Sequence, residues 1–213
     1  MTRIILVRHG ETPWNVEGRY QGQEDIPLSE RGLEQAHLLA EGLRDVHIDR
    51  AIASPLKRAF VTGKTCADLH GLAVSVDERL TEINHGSWEG CFAQDIQAKY
   101  PDAFALWHTK PHLVQMPDGG ECLEDVRKRA MDAVSDIIRN YPNETVLVAA
   151  HDAVNRAILC EVLGMDMAHF WKMKQDNTCI NVIEYDQGEW RLVLLNSTHH
   201  LGYLFSGIEQ AGL

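Results

Sequence analysis

The sequence predicts an α/β protein in which a mostly parallel sheet, flanked by helices in three layers, has an antiparallel strand pair late in the chain. Two short apolar runs, Ile4–Val7 and Thr145–Ala150, have the composition of strands that are buried on both faces. Amphipathic segments alternate with the predicted strands, as in parallel sheets. The 213 residues, 45% hydrophobic and 24% charged, exclude the disordered and low-complexity classes. We expect one domain over residues 1–213.

The first part of the chain contains two predicted helices between three predicted strands. Ser29 can cap a helix with apolar residues at helical spacing. Those apolar residues are Leu33, Ala36, Leu39 and Leu43. A strand at Arg50–Ala53 then leads into a helix at Leu56–Leu69, with Pro55 placed in its first turn, and a short strand follows at Val74–Val76.

The later part is predicted to begin with an irregular segment and to end in a hairpin. Residues 84–120 are rich in glycine and proline, and we expect loops and short helices that form a lid over the carboxyl ends of the strands. Amphipathic helices are predicted at Glu121–Asn140 and Val154–Leu163. The runs Cys179–Tyr185 and Trp190–Leu195 predict an antiparallel hairpin.

Charge and composition limit the partners of the protein. The formal net charge is −11, which disfavours nucleic acid and anionic lipid as partners. Apolar runs are far shorter than the ~18 residues needed to span a bilayer, and the chain begins with a β-like run instead of a secretory signal. The five cysteines form no C-x-x-C pair, which predicts reduced thiols and neither a disulfide framework nor a zinc site. We therefore expect a cytoplasmic protein.

Basic and imidazole side chains follow three predicted buried strands. Arg8 and His9 come after the first strand, Arg58 follows the second closely, and His151 comes after the long apolar strand. Because ligands bind beyond the carboxyl ends of parallel strands, we expect these side chains to share one site. An arginine fork matches a phosphate group, and histidine titrates near neutral pH. The sequence therefore predicts a site for a small phosphate dianion in an otherwise acidic protein.

The same residue types suit phosphoryl transfer. A neutral imidazole can attack phosphorus directly, and a covalent phosphohistidine divides one difficult displacement into two easier steps. The leaving alkoxide needs a proton, and Glu82 is the candidate acid, with Glu89 as the rival. His108 and His112 have the spacing of metal ligands on a helix, but Pro111 interrupts that helix, so we expect no metal and no cofactor.

An ordered set of motifs resembles the phosphoglycerate-mutase-like branch of the histidine phosphatase superfamily. The motifs are Arg8-His9-Gly10-Glu11-Thr12, Tyr20-Gln21-Gly22, Leu28-Ser29-Glu30-Arg31-Gly32, Ser54-Pro55-Leu56-Lys57-Arg58, Glu82 followed by Gly86-Ser87-Trp88-Glu89-Gly90, and His151. The resemblance covers nearly the whole chain. It implies that His9 is the phosphorylated nucleophile and that Glu82 is the proton donor and later the base. It further implies that the phosphoryl group is held by Arg8, Arg58 and His151, with Asn15 as a further donor and Gln21 and Gly22 lining the pocket.

One residue departs from the family pattern, which often has glycine after the second histidine where this chain has Asp152. A carboxylate at that place should repel a phosphate. The alternative is that Asp152 caps the following helix with its side chain turned away, which leaves its backbone N–H for the phosphate. We expect the cap.

Within the family, the sequence favours a phosphatase that acts on a small phosphomonoester. The segment between Glu82 and His151 is shorter than in the mutases, and its basic cluster Arg127-Lys128-Arg129 is typical of a solvated helix face. The chain looks most like the metal-independent phosphoserine phosphatases. Alternatives are an alpha-ribazole or broad-specificity phosphatase, a cofactor-dependent phosphoglycerate mutase, and a non-catalytic phosphate-binding protein.

Two further expectations concern ligands and partners. His85 follows Glu82 by three residues and could pair with a substrate carboxylate, or it could be a loop histidine without a ligand. The late hairpin offers a strand edge at which two copies could form a homodimer, although the sequence leaves the oligomeric state open.

Overall fold

The computed structural model describes residues 1–203, and these contain one six-stranded sheet with helices on both sides. The strands are β1 (Thr2–Arg8), β2 (Arg50–Ala53), β3 (Val74–Val76), β4 (Thr145–Ala150), β5 (Ile180–Asp186) and β6 (Glu189–Ser197). The α-helices are α1 (Pro13–Glu17), α2 (Glu30–Gly42), α3 (Lys57–Leu69), α4 (Ala93–Lys99), α5 (Pro101–Thr109), α6 (Leu123–Asn140) and α7 (Asp152–Val162). Among the described residues, no helix is long and apolar enough to cross a membrane.

The strand order β3-β2-β4-β1-β5-β6 confirms the predicted sheet. Strands β1 to β4 run parallel, while β5 is antiparallel to both β1 and β6. The late hairpin therefore joins the sheet beside its first strand and forms one of its edges. This arrangement places β1 and β4 side by side in the middle, with Arg8 paired with Ala150 at their carboxyl ends.

Alternate residues of the central strands divide between two apolar cores, which shows why these strands are apolar throughout. Ile4 and Leu6 of β1 join the core formed with α6 and α7, whereas Ile5 and Val7 join the core formed with α2 and α3. All four of these side chains are buried. Burial on both faces of the sheet stabilises the three-layer arrangement through the hydrophobic effect.

Several predicted boundaries differ from the observed ones for local reasons. Ser29 caps α2 as predicted, because its side chain accepts the N–H of Gly32. Leu33, expected on the buried face of that helix, is instead exposed. Leu56 is the N-cap of α3, so Pro55 precedes the helix and was wrongly placed in its first turn. The helix after β4 begins two residues earlier than predicted, at Asp152.

Residues 84–120 form the predicted mixture of loops and short helices. They contain α4, α5 and two 3₁₀ helices at Gly86–Trp88 and Pro111–Leu113. Trp107 of α5 is buried in the core beneath α6 and α7. The role of this segment as a lid stays a prediction.

Candidate active site

Five buried polar side chains are gathered beside the carboxyl ends of β1, β2 and β4. Arg8 ends β1 and His9 follows it, Arg58 lies in the first turn of α3 after β2, and His151 follows β4 as the N-cap of α7. Glu82 follows the 3₁₀ helix that succeeds β3 and contacts α7. None of the five is more than 2% exposed. Burial of this many charged groups is costly unless they are paired or bind a ligand.

The ring of His9 is held in one tautomer. Its Nδ1 lies 2.7 Å from the carbonyl oxygen of Gly10, and because a carbonyl only accepts, Nδ1 carries the proton and Nε2 keeps its lone pair. The backbone carbonyl of His9 accepts a hydrogen bond from Nδ2 of Asn177 at 3.1 Å. Burial, followed by the positive charges of Arg58 and Arg8, holds the pKa of His9 well below its ordinary value. At neutral pH the ring is therefore uncharged.

His151 faces His9 across the site. The two ring centroids are 5.2 Å apart with the planes inclined by 59°, and Nε2 of His151 hydrogen-bonds with Oγ of Ser54 at 2.8 Å. Burial first, and then the charge of Arg58, lowers the pKa of His151 well below its ordinary value. Both rings are therefore neutral in this structure, so the arginines provide the positive charge for binding an anion.

Each of the two arginines is fixed by backbone carbonyls. Arg58 donates from Nη1 to Glu24 and from Nη2 to Gly22, both at 2.7 Å, while its Nε finds no acceptor among residues 1–203. Burial lowers the pKa of Arg58 to about 10, so it stays charged at neutral pH. Arg8 donates from Nη1 to the carbonyl of Gln175 at 2.5 Å. Fixed guanidinium groups beside a neutral imidazole form a site that suits a phosphate dianion.

Burial and a nearby negative charge favour the protonated form of Glu82, and they outweigh the hydrogen bonds and arginines that favour its carboxylate. Its Oε1 accepts the N–H of Ile83 at 2.9 Å and that of Ala153 at 3.2 Å. Burial, and then the charge of Asp152, raises the pKa of Glu82, whereas Arg58 and Arg8 act in the opposite direction with smaller effect. A buried carboxyl group of raised pKa is suited to donate a proton to a leaving group.

Of the predicted binding residues near α1, Gln21 is buried and Asn15 is half-buried, and each has a buried amide nitrogen without an acceptor in residues 1–203. Oδ1 of Asn15 accepts the backbone N–H of Thr12 in a capping box, and Oε1 of Gln21 accepts the hydroxyl of Thr12. Within the described chain, Nδ2 of Asn15 and Nε2 of Gln21 have no acceptor. Buried donors without partners are costly, and an anion would supply the missing acceptors.

Gly22 acts through its backbone carbonyl, at a place where a side chain would not fit. Its carbonyl holds Arg58, its φ is +51°, and a Cβ atom added there would lie 2.0 Å from Oε1 of Glu89. That carboxylate in turn accepts the N–H groups of Gln23 and His85. Glu89 therefore fixes loop backbone, and burial raises the pKa of this rival carboxyl group as well.

His85 lies in an aromatic pocket. Its ring packs edge-on against Tyr20, at 4.9 Å between centroids, and against Trp107, at 5.8 Å. Burial lowers its pKa to about 3, so the ring is neutral, and neither ring nitrogen has a hydrogen-bond partner in residues 1–203. An ion pair with a carboxylate is therefore disfavoured, but a neutral N–H remains available to donate a hydrogen bond.

Asp152 does not cap α7, so the expectation that it would was wrong. His151 is the N-cap, and Asp152 is the first helical residue with its side chain buried. Its Oδ2 lies 3.0 Å from Nη1 of Arg8, and its Oδ1 bonds with Nε of Arg156. The carboxylate is turned into the fold because two arginines neutralise it there.

The basic cluster on α6 is only partly a solvated face, which corrects the prediction for Arg129. Arg129 is 19% exposed, pairs with Glu121, and donates to the carbonyls of Arg79, Thr81 and Glu82. It thus supports the backbone that carries Glu82. Arg127, by contrast, forms exposed ion pairs with Glu124 and Glu161.

Sequence reasoning missed the residues that support the site from behind. These residues are Ser54, Gln175, Asn177, Arg129 and Arg156. Ser54 belongs to the motif after β2 that the sequence already singled out, but no role was predicted for it. The segment that contains Gln175 and Asn177 approaches His9 only because β5 pairs with β1, which no local pattern indicates.

Comparison with known proteins agrees with this geometry. Residues 4–198 match the profile of the histidine phosphatase superfamily (branch 1). The chain is 40% identical over 205 residues to phosphoserine phosphatase 1 of Hydrogenobacter thermophilus, covering 96% of this chain and 97% of that protein. It is 33% identical over 217 residues to a metal-independent phosphoserine phosphatase of Arabidopsis thaliana, covering 98% and 88% respectively.

A solved structure shares the fold. A mutant phosphoserine phosphatase of Entamoeba histolytica in complex with phosphoserine superposes with a TM-score of 0.85 at 27% identity. The match covers 94% of this chain and all of that one.

Proposed function

The chain belongs to branch 1 of the histidine phosphatase superfamily, and on that premise we propose that it hydrolyses a small phosphomonoester, phosphoserine, through a phosphohistidine at His9. One observation carries this proposal: a neutral imidazole with a free Nε2 lone pair lies beside two buried, charged arginines and a carboxyl group of raised pKa. These are a nucleophile, an anion site and an acid, the three parts that phosphoryl transfer needs.

In the first step, Nε2 of His9 attacks the phosphorus atom of the substrate. The bond between phosphorus and the alcohol oxygen breaks, and Glu82 gives its proton to that oxygen, so the alcohol leaves neutral. Arg8, Arg58 and the spare amide donor of Asn15 stabilise the phosphoryl oxygens. The step needs no redox partner, and its products are phosphohistidine and a Glu82 carboxylate.

In the second step, a water molecule replaces the departed alcohol. The Glu82 carboxylate takes a proton from this water as its oxygen attacks phosphorus, and the bond to Nε2 of His9 breaks. Inorganic phosphate leaves, while His9 is again neutral and Glu82 is again protonated. The hydrogen bond from Nδ1 of His9 to Gly10 holds the ring in place throughout both steps.

Phosphoserine is supported as the substrate by the relatives and by His85. The two relatives named above are phosphoserine phosphatases. The ring nitrogens of His85 are buried and without partners among residues 1–203. A substrate carboxylate would accept a hydrogen bond from this neutral ring and satisfy one nitrogen.

Hydrolysis of p-nitrophenyl phosphate in EDTA tests the activity, with His9→Ala beside the exposed control His37→Ala. We expect turnover in the parent and the control, and a loss of about 10³-fold or more in His9→Ala. Turnover that persists in His9→Ala would contradict the nucleophile, and turnover abolished by EDTA would contradict a metal-free mechanism. Assays with phosphoserine, phosphoglycerates, sugar phosphates and alpha-ribazole phosphate, with mutase activity alongside, then identify the substrate.

The remaining proposals concern the setting of the enzyme. We propose a homodimer through β6, which among the described residues pairs only with β5 and exposes Val193, Leu194 and Leu195. Sedimentation of the protein and of Val193→Lys tests it: a monomeric parent would contradict the dimer.

All five cysteines are free thiols, which supports a reducing, cytoplasmic setting. The net charge of −11 argues against nucleic acid as a partner.

A further inference from the structure

Arg8 belongs to a buried chain of charges whose other two members, Asp152 and Arg156, have no role in the two steps above. Asp152 lies between Arg8 and Arg156, with Oδ2 at 3.0 Å from Nη1 of Arg8. Both carboxylate oxygens also bond with Arg156, Oδ1 with Nε and Oδ2 with Nη2 at 3.4 Å. All three side chains are at most 8% exposed. Two positive charges therefore share one carboxylate inside the protein.

Arg156 anchors this chain to the rest of the fold. It lies one helical turn after Asp152, and its Nη1 donates to the carbonyls of Phe170 and Met173. Its guanidinium also lies 5.4 Å from the ring centroid of Phe170 and 5.0 Å from that of Trp171. These hydrogen bonds and ring contacts come from a separate segment and hold the guanidinium of Arg156 in place. Arg156 in turn holds the carboxylate of Asp152.

The fixed carboxylate orients Arg8. Within the described part of the chain, Nη1 of Arg8 pairs with Asp152 and donates to the carbonyl of Gln175, and both contacts restrict the plane of the guanidinium. A planar fork binds phosphate well only in one orientation, so a defined plane favours bidentate contact. The negative charge of Asp152 also offsets the repulsion between the buried positive charges of Arg8 and Arg156.

We propose that Asp152 is a positioning residue for phosphoryl transfer, which acts by holding Arg8 in its phosphate-binding orientation. The proposal rests on the proposed function. Two opposite effects on phosphate binding compete at this position, since a carboxylate near a phosphate repels it, whereas an oriented arginine attracts it. The sign of the change on removal of the charge decides which effect is larger.

The link to Glu82 passes through the first turn of α7. The N–H of Ala153, next to Asp152, lies 3.2 and 3.4 Å from the two oxygens of Glu82. Charged groups from several elements influence Glu82: Arg8 of β1, Arg58 of α3 and Asp152 of α7. Arg129 of α6 donates a hydrogen bond to the backbone carbonyl of Glu82. His151, which is neutral, precedes Asp152 in the chain. Of these groups Asp152 carries the negative charge, and after burial this charge raises the pKa of Glu82 further.

The test compares Asp152→Asn with Asp132→Asn, which removes an exposed carboxylate from α6 and serves as the matched control. The readouts are the binding of inorganic phosphate by titration calorimetry and the pH profile of kcat with phosphoserine, whose leaving alkoxide needs the proton of Glu82. We expect phosphate to bind about tenfold more weakly to Asp152→Asn, and the alkaline limb of its profile to move to lower pH. The control should match the parent. Phosphate that binds Asp152→Asn as tightly as the parent, or more tightly, would overturn the proposal.

A second variant covers a failure of Asp152→Asn to fold. Asp152→Glu keeps the charge but displaces the carboxylate by one methylene. It should bind phosphate several-fold more weakly while its alkaline limb stays with that of the parent. Parental phosphate affinity in folded Asp152→Glu would contradict the positioning role. An inactive parent would instead count against the proposed function, because phosphate binding is measured without turnover.

Discussion

At the residue scale, burial and neighbouring charges lower the pKa of His9 and raise the pKa of Glu82. His9 is kept neutral by burial and by the two arginines, so it remains a nucleophile in mildly acidic solution. Burial and Asp152 raise the pKa of Glu82, so its acid form persists to higher pH than an ordinary carboxyl group would allow. We expect activity to fall on the alkaline side as Glu82 loses its proton.

Glu82→Gln should separate the two roles of the carboxyl group. The glutamine cannot give a proton, so the first step with phosphoserine, whose alkoxide is a poor leaving group, should slow by about 10²-fold or more. The p-nitrophenolate ion leaves without a proton, so p-nitrophenyl phosphate should still give a stoichiometric burst. Slow turnover then follows because no base activates water.

Stopped-flow absorbance measures this burst, with Glu89→Gln as the comparison for a carboxylate outside the acid position. Equal first-step rates for the two substrates in Glu82→Gln would contradict the role of Glu82 as the acid.

His85→Ala should affect one substrate selectively. If the neutral ring of His85 donates to the substrate carboxylate, the KM for phosphoserine should rise about tenfold, while that for p-nitrophenyl phosphate should change less than twofold. Steady-state kinetics with both substrates, beside His37→Ala, provides the measurement. A similar rise for both substrates would show that His85 only packs against Tyr20 and Trp107.

The predictability of these residues depended on how each one reaches the site. The rule that ligands bind at strand ends predicted that Arg8, His9 and His151 would meet, because each follows a strand that composition alone reveals. The side-chain direction of Asp152 was not predictable. Its ion pairs depend on Arg156, which lies one turn further along α7, and on Arg8 from a distant strand.

At the scale of elements, helix α6 does more than cover the sheet. Arg129 reaches from this helix to three backbone carbonyls, those of Arg79, Thr81 and Glu82. Lysine cannot reproduce that fork, so Arg129→Lys should lower the free energy of unfolding by about 1–3 kcal/mol and reduce kcat for phosphoserine.

Urea unfolding and steady-state kinetics measure both effects of Arg129→Lys. Arg127→Lys, on the same helix but in exposed ion pairs, is the matched control and should resemble the parent. Equal behaviour of the two variants would remove the supporting role of Arg129.

Element positions were predictable where periodicity is strong and unpredictable where tertiary contacts decide. The position of α6 was predicted from its amphipathic pattern, yet the polar residue Arg129 on it was taken for a solvated group. The pattern of a helix shows which face is apolar, but it cannot show which loop will lie against the polar border.

At the scale of the molecule, three buried neutral imidazoles make stability depend on pH. Burial lowers the pKa of His85 to about 3 and those of His9 and His151 well below their ordinary value. In the unfolded chain these groups take up protons near pH 6.5. Their stabilising contribution is therefore complete above that pH and is lost as the pH falls. Glu82, whose pKa is raised, acts in the opposite direction.

Urea unfolding between pH 7 and pH 5 should show this loss in the parent. In His85→Phe one such group is absent, so the decline should be shallower by up to about 1.4 kcal/mol per pH unit below pH 6.5. Parallel declines in the two proteins would contradict the burial of a neutral His85.

The acidic net charge of −11 concerns the whole surface, whereas binding depends on a few buried groups. Arg8 and Arg58 concentrate positive charge at one place inside an acidic protein. We therefore expect weak long-range attraction of anions together with strong local binding of one phosphate group.

The most direct test of the account is detection of the phosphoenzyme. Glu82→Gln is mixed with p-nitrophenyl phosphate, quenched in alkali within the burst, and digested for mass spectrometry. We predict one added phosphoryl group on the peptide that contains His9, and none in a double variant that also carries His9→Ala. A burst without phosphorylated His9, or phosphorylation that survives the loss of His9, would contradict the central claim.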